Sequence, residues 1–297
     1  MHKKEKEVLH LSHCRGITHM ALLKWLKLDP PLSVYSLNST DLQRVFRLSD
    51  ALMPHFLNDF YSFDPDAAFS RLKASNIKAI SLCNESYPHL LKEIHDPPPI
   101  LFCKGNTALL SSGKMISIVG TRNPTNYGTH SIKRVTDPLI SAGWTVVSGL
   151  AKGIDALAHQ RAIERQAPTI GVIGGGLHHF YPKENLPLFK EMAENQLVLS
   201  EHPPDTKPQK WHFPMRNRII SGLSLGTVVI QAKSKSGSLI TAGTALDQGR
   251  QVFAVPGSIF DAASAGANQL IKQGAYLAED GLDVLNDLSV QVACAEN

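Results

Sequence analysis

Residues 115–153 read MISIVGTRNPTNYGTHSIKRVTDPLISAGWTVVSGLAKG. Two short, mainly apolar runs, Ile116–Val119 and Trp144–Val147, each end in a glycine-bearing turn. The first turn is Gly120-Thr121-Arg122-Asn123-Pro124, the second Ser148-Gly149-Leu150-Ala151-Lys152-Gly153. Between them, residues 127–142 carry the pattern of a helix. A strand that is apolar on both faces needs cover on both, so a strand–helix–strand unit of this kind predicts a parallel sheet between helical layers.

The unit recurs downstream. Further runs are Thr169–Ile173, Leu197–Leu199, Thr227–Ile230 and Val252–Val255, with helices expected at about 154–166, 184–195, 214–223 and 238–249. Six such strands predict an α/β, doubly wound parallel sheet. Upstream, residues 1–70 read as a small helical domain. Ile17, Met20, Leu22, Leu23, Leu26 and Leu28 suit a helix stopped by Asp29-Pro30-Pro31. Ser39-Thr40-Asp41 offers an N-cap before Leu42, Val45, Phe46 and Leu48, and Asp64-Pro65-Asp66 breaks and restarts the pattern. Residues 71–112 hold two strand candidates, Ile77–Ile80 and Ile100–Cys103, around the Pro-rich segment Asp96–Pro99. The expected organisation is a helical module over 1–70, connecting strands over 71–112, a sheet domain over 113–290 and a tail over 291–297. A length of 297 residues agrees with about two domains at ~150 residues each.

Composition narrows the class. With 43% hydrophobic and 19% charged residues the chain can bury a sizeable core. No apolar run approaches the ~18–20 residues of a membrane span, so no membrane insertion is expected. The basic start lacks the apolar stretch of a secretory signal. Cys14, Cys83, Cys103 and Cys294 are scattered without a C-x-x-C pair, which fits reduced thiols and a cytoplasmic setting. His178-His179 and the His10/His13/Cys14 group lack further ligands at a recognisable spacing, so no metal is expected.

Net charge is only +4, but the charges are sorted along the chain. Pro97–Thr136 contains five Lys or Arg and no acid, Thr206–Leu246 six and no acid, and Tyr276–Asn297 five acids and no base. Should the two acid-free windows meet in the fold, they form a surface suited to phosphates. The turns after the strands agree. They are rich in Gly, Ser and Thr, which expose backbone N–H groups and helix N-termini, and four of five carry Arg or Lys.

The dinucleotide fingerprint is absent, and Gly171–Gly176 is followed by Leu177-His178 where a Walker A loop has Lys and Ser/Thr. No catalytic apparatus is evident: Asp155 and Glu184 each open helical sequence, where the dipole favours an acid, and Ser236 and Ser238 lack an evident His partner. In the loop 202–218, Trp211 and Phe213 alternate with Lys210, Arg216 and Arg218. Aromatics among bases stack on unpaired nucleobases while the cations meet phosphates.

The segments GTRNPTNYG, VVSGLAKGIDALAH, GVIGGGLHHFYPKEN, LSEHPP, FPMRNRIISGLS, KSGSLITAGTALDQGRQVFAVPG and ANQLIKQGA closely resemble the DNA-processing protein A (DprA/Smf) family. With YPHLLKEIHDPPPILFCKGN upstream, the resemblance covers about three quarters of the chain. It implies an extended Rossmann-like domain that binds single-stranded DNA with little sequence preference. It also implies a homodimer through that domain, protection of incoming strands, and loading of the RecA recombinase during natural transformation and homologous recombination, with single-strand DNA-binding protein as a further partner. No cofactor and no catalysis are implied. The DNA pocket carries over to Arg122, Lys183, Lys210 and Phe213, completed by backbone turns at Gly120, Ser148, Gly175 and Ser236–Ser238. Arg216 and Arg218 join the expected DNA-binding set from the loop reading. Two departures stand out: a C-terminal winged-helix-like domain of many relatives is expected to be absent, and the hairpin glycine pattern of the N-terminal module is reduced to Arg15-Gly16-Ile17.

The alternative is an enzyme resembling the lysine-decarboxylase-like nucleotide phosphoribohydrolases. Those use a Gly-rich loop followed closely by a catalytic Glu. Here Ser236–Thr241 meets no acid until Asp247, which counts against cleavage of a glycosidic bond.

Overall fold

The computed structural model describes residues 3–28 and 33–295. The Asp29-Pro30-Pro31 stop and the last two residues of the expected tail lie outside the described residues. Five helices open the chain: α1 (Lys3–His13), α2 (His19–Leu28), α3 (Ser39–Phe46), α4 (Met53–Ser62) and α5 (Pro65–Ala74). Two of their starts are set by side chains. Asn38 caps α3 by accepting from the Asp41 N–H, one residue before the expected cap. Asp64 accepts from the N–H groups of Asp66 and Ala67 at the start of α5, where Pro65 has no N–H to lose.

The strands are β1 (Ile77–Ser81), β2 (Ile100–Gly105), β3 (Met115–Val119), β4 (Thr145–Ser148), β5 (Thr169–Val172), β6 (Leu197–Ser200), β7 (Gly226–Val229), β8 (Gln251–Ala254) and β9 (Tyr276–Leu277). They form one sheet in the order β1-β2-β6-β5-β4-β3-β7-β8-β9. From β6 to β9 every pairing is parallel. The chain winds outward from β3 to β6, then returns to lay β7 beside β3, which makes the β3/β7 boundary the topological switch point. The segment 71–112 does more than connect. Its strands β1 and β2 pair antiparallel and extend the sheet beyond β6. The short edge strand β9 lies beyond the six expected strands, because two half-exposed residues carry no periodic signal.

The remaining helices are α6 (His89–Lys92), α7 (Asn126–Ser141), α8 (Ile154–Glu164), α9 (Leu186–Asn195), α10 (His212–Gly222), α11 (Gly237–Asp247), α12 (Ala265–Lys272) and α13 (Gly281–Ala295). Alternation along each strand divides them into two layers. Ile116, Ile118, Val146 and Val228 pack against Val135 and Leu139 of α7, Ala158 of α8 and Val284 of α13. Val119, Val147, Ile170 and Val229 point the other way, toward Ile220 of α10, Ala242 of α11 and Ala267 of α12. Each fully buried aliphatic side chain of this kind contributes ~1.5–3 kcal/mol. A third cluster joins Leu9, Phe56 and Phe60 of the opening helices to Phe102 of β2, Met192 of α9 and Val198 of β6, so the helical module shares a core with the sheet's antiparallel side. Among the described residues, no helix is long and apolar enough to cross a membrane.

Candidate nucleic-acid interface

A cleft of about 810 Å³ opens at the carboxyl ends of β3 and β7. One wall is the β3 turn, Gly120-Thr121-Arg122, and the opposite wall is the β7 turn, Lys233 to Ser238. Tyr181, Lys210 and Phe213 close the side toward β5, and Arg216 lies at the floor.

Backbone chemistry fixes these walls. Gly153 has φ +77°, and a Cβ there would collide with the backbone of Thr121 and Arg122. That close approach lets the Ile154 N–H donate to the Thr121 carbonyl at 3.1 Å, which pins the β3 turn to the start of α8. On the other wall Ser236 caps α11, accepting from the Ser238 N–H, while the two hydroxyls lie 2.7 Å apart. The amino end of α11 thereby opens into the cleft, where the positive end of the helix dipole favours an anion.

Arg216 is buried, at 6% exposure. Its Nη1 donates to the Gly149 carbonyl at 2.5 Å and to the Val172 carbonyl, joining the turns after β4 and β5. A Cβ at Gly149 would occupy the space of this guanidinium, which explains the glycine. Burial pushes the Arg216 pKa down to about 10 against the attraction of Asp155, with Arg122 lowering it further, so the group stays protonated at neutral pH. Burial likewise raises Asp155, opposed by Arg216 and by the N–H groups of Ala151 and Gly149. Arg122, Lys210, Lys233 and Lys235 are exposed, and among the described residues none of them forms an ion pair. Asp155 is the one acid that lines the cleft among the described residues.

Of the residues expected to bind DNA, Gly120, Arg122, Lys210, Phe213, Arg216, Ser236 and Ser238 meet around this cleft. Lys183 is exposed two residues after Tyr181, outside the lining. Ser148 is wholly buried and donates to the Ile118 carbonyl at 2.6 Å. Gly175 is buried under Pro208, its carbonyl accepting from Ser200 Oγ at 2.8 Å. Neither backbone turn reaches the cleft as expected, because residues that follow β6 fold over the one at Gly175 and Ser148 points into the sheet.

Arg218 is a clear correction. It is 5% exposed and points to the seam with the helical module, with Nη2 2.5 Å from Glu201 Oε2 and Nε 3.0 Å from Asp96 Oδ2. The reason is geometric: two residues along an α-helix turn the side chain by roughly 200°, so α10 cannot aim Arg216 and Arg218 at the same space. Trp211 also leaves the cleft and faces a separate crevice. Tyr181 is the aromatic that sequence reasoning misses; its ring meets Phe213 edge-on, with centroids 5.8 Å apart. The signal for it is its place in the turn after β5, two residues before Lys183. Asn217 also lines the cleft and accepts from Arg216 Nε at 3.2 Å.

The acids considered as general bases are otherwise engaged: Glu184 is exposed and pairs with Lys152 at 2.5 Å, and Asp155 is buried beside Arg216. Among the described residues, no three His, Cys, Asp or Glu side chains are placed to share a metal ion.

Residues 78–289 match the model of the family described as DNA recombination-mediator protein A. The chain is 50% identical over 275 residues to the DNA processing protein DprA of Bacillus subtilis, covering 91% of each. It is 43% identical over 244 residues to the DNA processing protein DprA of Streptococcus pneumoniae, covering 82% of this chain and 80% of that one. The X-ray structure of the pneumococcal DNA processing protein A superposes with a TM-score of 0.84 at 39% identity, over 95% of this chain and 97% of that one. DNA processing protein A from Helicobacter pylori, whose structure concerns its single-stranded DNA binding mode, superposes with a TM-score of 0.65 at 31% identity, over 72% and 96%.

Proposed function

The chain belongs to the DNA recombination-mediator protein A family, and from that membership we propose that it binds single-stranded DNA in the cleft at the carboxyl ends of β3 and β7. In this reading it acts in the cytoplasm as a homodimer, without catalysing a reaction. It protects incoming strands and loads RecA onto them during natural transformation and homologous recombination, alongside single-strand DNA-binding protein. The sheet domain, 113–290, carries the DNA contacts.

The observation that carries the reading is the pairing of free cations with aromatic rings in one cleft. Arg122, Lys210, Lys233 and Lys235 offer charge against a single lining acid among the described residues, the buried Asp155, and the amino end of α11 offers N–H donors. Both sets suit a phosphate backbone. Tyr181 and Phe213 offer π-faces, which every base can stack on, so binding is tolerant of sequence. Groups that hold phosphates position a strand but do not read it.

The test is the salt dependence of single-strand binding. Arg122→Ala and Lys183→Ala should each weaken binding and lower the slope of log K against log salt by about 0.7 for each phosphate that the variant no longer neutralises. A slope unchanged in both variants would remove these two side chains from the interface. Incubation with AMP-type nucleotides should release no base; release would favour the hydrolase alternative.

A further inference from the structure

Arg122 stands on the β3 wall of the cleft with an exposed side chain that, among the described residues, forms no hydrogen bond and no ion pair. Where its guanidinium points is therefore set by the backbone of its turn. That turn hangs on Gln231, which lies two residues past β7 and is 1% exposed. The Gln231 carbonyl accepts from the Thr121 N–H at 2.7 Å. Its side chain takes the other end of the turn: Oε1 accepts from the Thr125 N–H at 3.0 Å, and Nε2 donates to Thr125 Oγ1 at 2.9 Å. Arg122 lies between these two attachments.

The amide is fixed from two further sides. Its Nε2 lies 3.5 Å from Asp261 Oδ2, in the loop after β8. Asp261 in turn accepts from the Ala263 N–H at 2.8 Å and from Ser264 Oγ at 3.4 Å. On α7, a Cβ at Gly128 would stand 2.5 Å from Gln231 Oε1, so the glycine is what leaves room for the amide. One buried side chain thus ties the turn after β3 to the loop after β8, across the switch point. Thr125 itself is exposed. Without the amide its N–H turns to water, and the far end of the turn is free to move.

We propose that Gln231 is a positioning residue for the strand site, holding the turn 120–125 in the shape that aims Arg122 at a phosphate. The proposal rests on the reading of the cleft as a single-strand site. A guanidinium meets a phosphate through a planar fork of donors, so its contact depends on direction as well as distance. A backbone already ordered before the strand arrives leaves only the Arg122 side chain to be immobilised, and affinity rises by the ordering cost that is avoided.

The test is a double-mutant cycle on the full chain, read by binding of an all-thymidine oligonucleotide. Gln231→Met fills a similar volume without the amide. It should weaken binding about tenfold, the worth of one charge-assisted hydrogen bond, and lower the salt slope by about 0.7. In an Arg122→Ala background the same substitution should change neither. Gln231→Glu keeps an oxygen for the Thr125 N–H and should bind like the parent. Equal losses from Gln231→Met in both backgrounds would overturn the proposal, because a merely structural role does not depend on Arg122. Binding by Gln231→Met as tight as the parent's would overturn it too. Should Gln231→Met fail to fold, Thr125→Pro removes both side-chain bonds from the other end, at a φ of −80° that proline accepts, and carries the same expectation. Binding unchanged by Arg122→Ala would overturn the cleft reading itself, and the positioning role with it.

Discussion

The cleft at the carboxyl edge of the sheet and the seam beside the helical module treat basic side chains in opposite ways. At the cleft, Arg122, Lys210, Lys233 and Lys235 are exposed and, among the described residues, form no ion pair. At the seam, Arg218 is enclosed between Glu201 and Asp96. The same helix, α10, serves both, with Arg216 under one and Arg218 inside the other. The contrast shows why a basic stretch of sequence is not yet a basic surface. Residues 206–246 contain no acid, but Glu201 and Asp96 lie just outside the two acid-free windows and fold into the second.

The contrast predicts effects of different kinds on the two sides. The largest should follow Arg218→Ala, which strands the Glu201 charge and should cost about 3–5 kcal/mol of stability. A urea midpoint close to that of the parent would place Arg218 with the free cations instead. Acid should act next. His159 is wholly buried, with Nδ1 2.7 Å from Thr169 Oγ1, and burial pushes it down to about 3. Because the unfolded chain takes up its proton near pH 6.5, stability is full above that value and falls as the pH drops toward 3. The loss should reach roughly 2 kcal/mol by pH 5 from this one group. Denaturation curves at pH 7 and 5 check it, and His159→Gln should flatten the dependence. On the cleft side, Phe213→Ala should weaken single-strand binding by ~1–3 kcal/mol if its ring carries a base; an equally tight, folded variant would leave Phe213 as a wall for Gly174. The smallest effect belongs to Lys152→Met. Its pair with Glu184 is exposed on both sides, where water screens the attraction, and the melting temperature should stay at the parent's value.

Much of the architecture is legible in the sequence because of where it is buried. Strands β3 to β8 are covered on both faces, so their apolar runs stand out between glycine turns, and all six lie in the expected places. The edges are less legible. Strand β9 has half-exposed residues and no pattern, and the antiparallel pairing of β1 and β2 with β6 depends on partners far away in the chain. The cleft follows the same division. Turns that end beside the switch point, at Gly120–Arg122 and Ser236–Ser238, can be located from topology alone. Ser148 and Gly175 end strands too, but one points into the sheet and the other is roofed by Pro208, and neither fact is written in the local sequence. Arg216 and Arg218 can be told apart only by the rotational phase of α10.

The switch point also orders events in time. Ser117 of β3 and Thr227 of β7 share a buried hydrogen bond across 110 positions of chain, so β3 gains this neighbour only after β4 to β6 have been made. During synthesis, β3 to β6 emerge and pair while the place beside β3 stays vacant, and such distant pairing is slow because loop-closure entropy must be overcome first. In the proposed reading, an oligonucleotide in the cleft touches both sides of that late junction. It should therefore raise the melting temperature of the whole sheet in proportion to the logarithm of its concentration, which makes occupancy a gauge of completed folding.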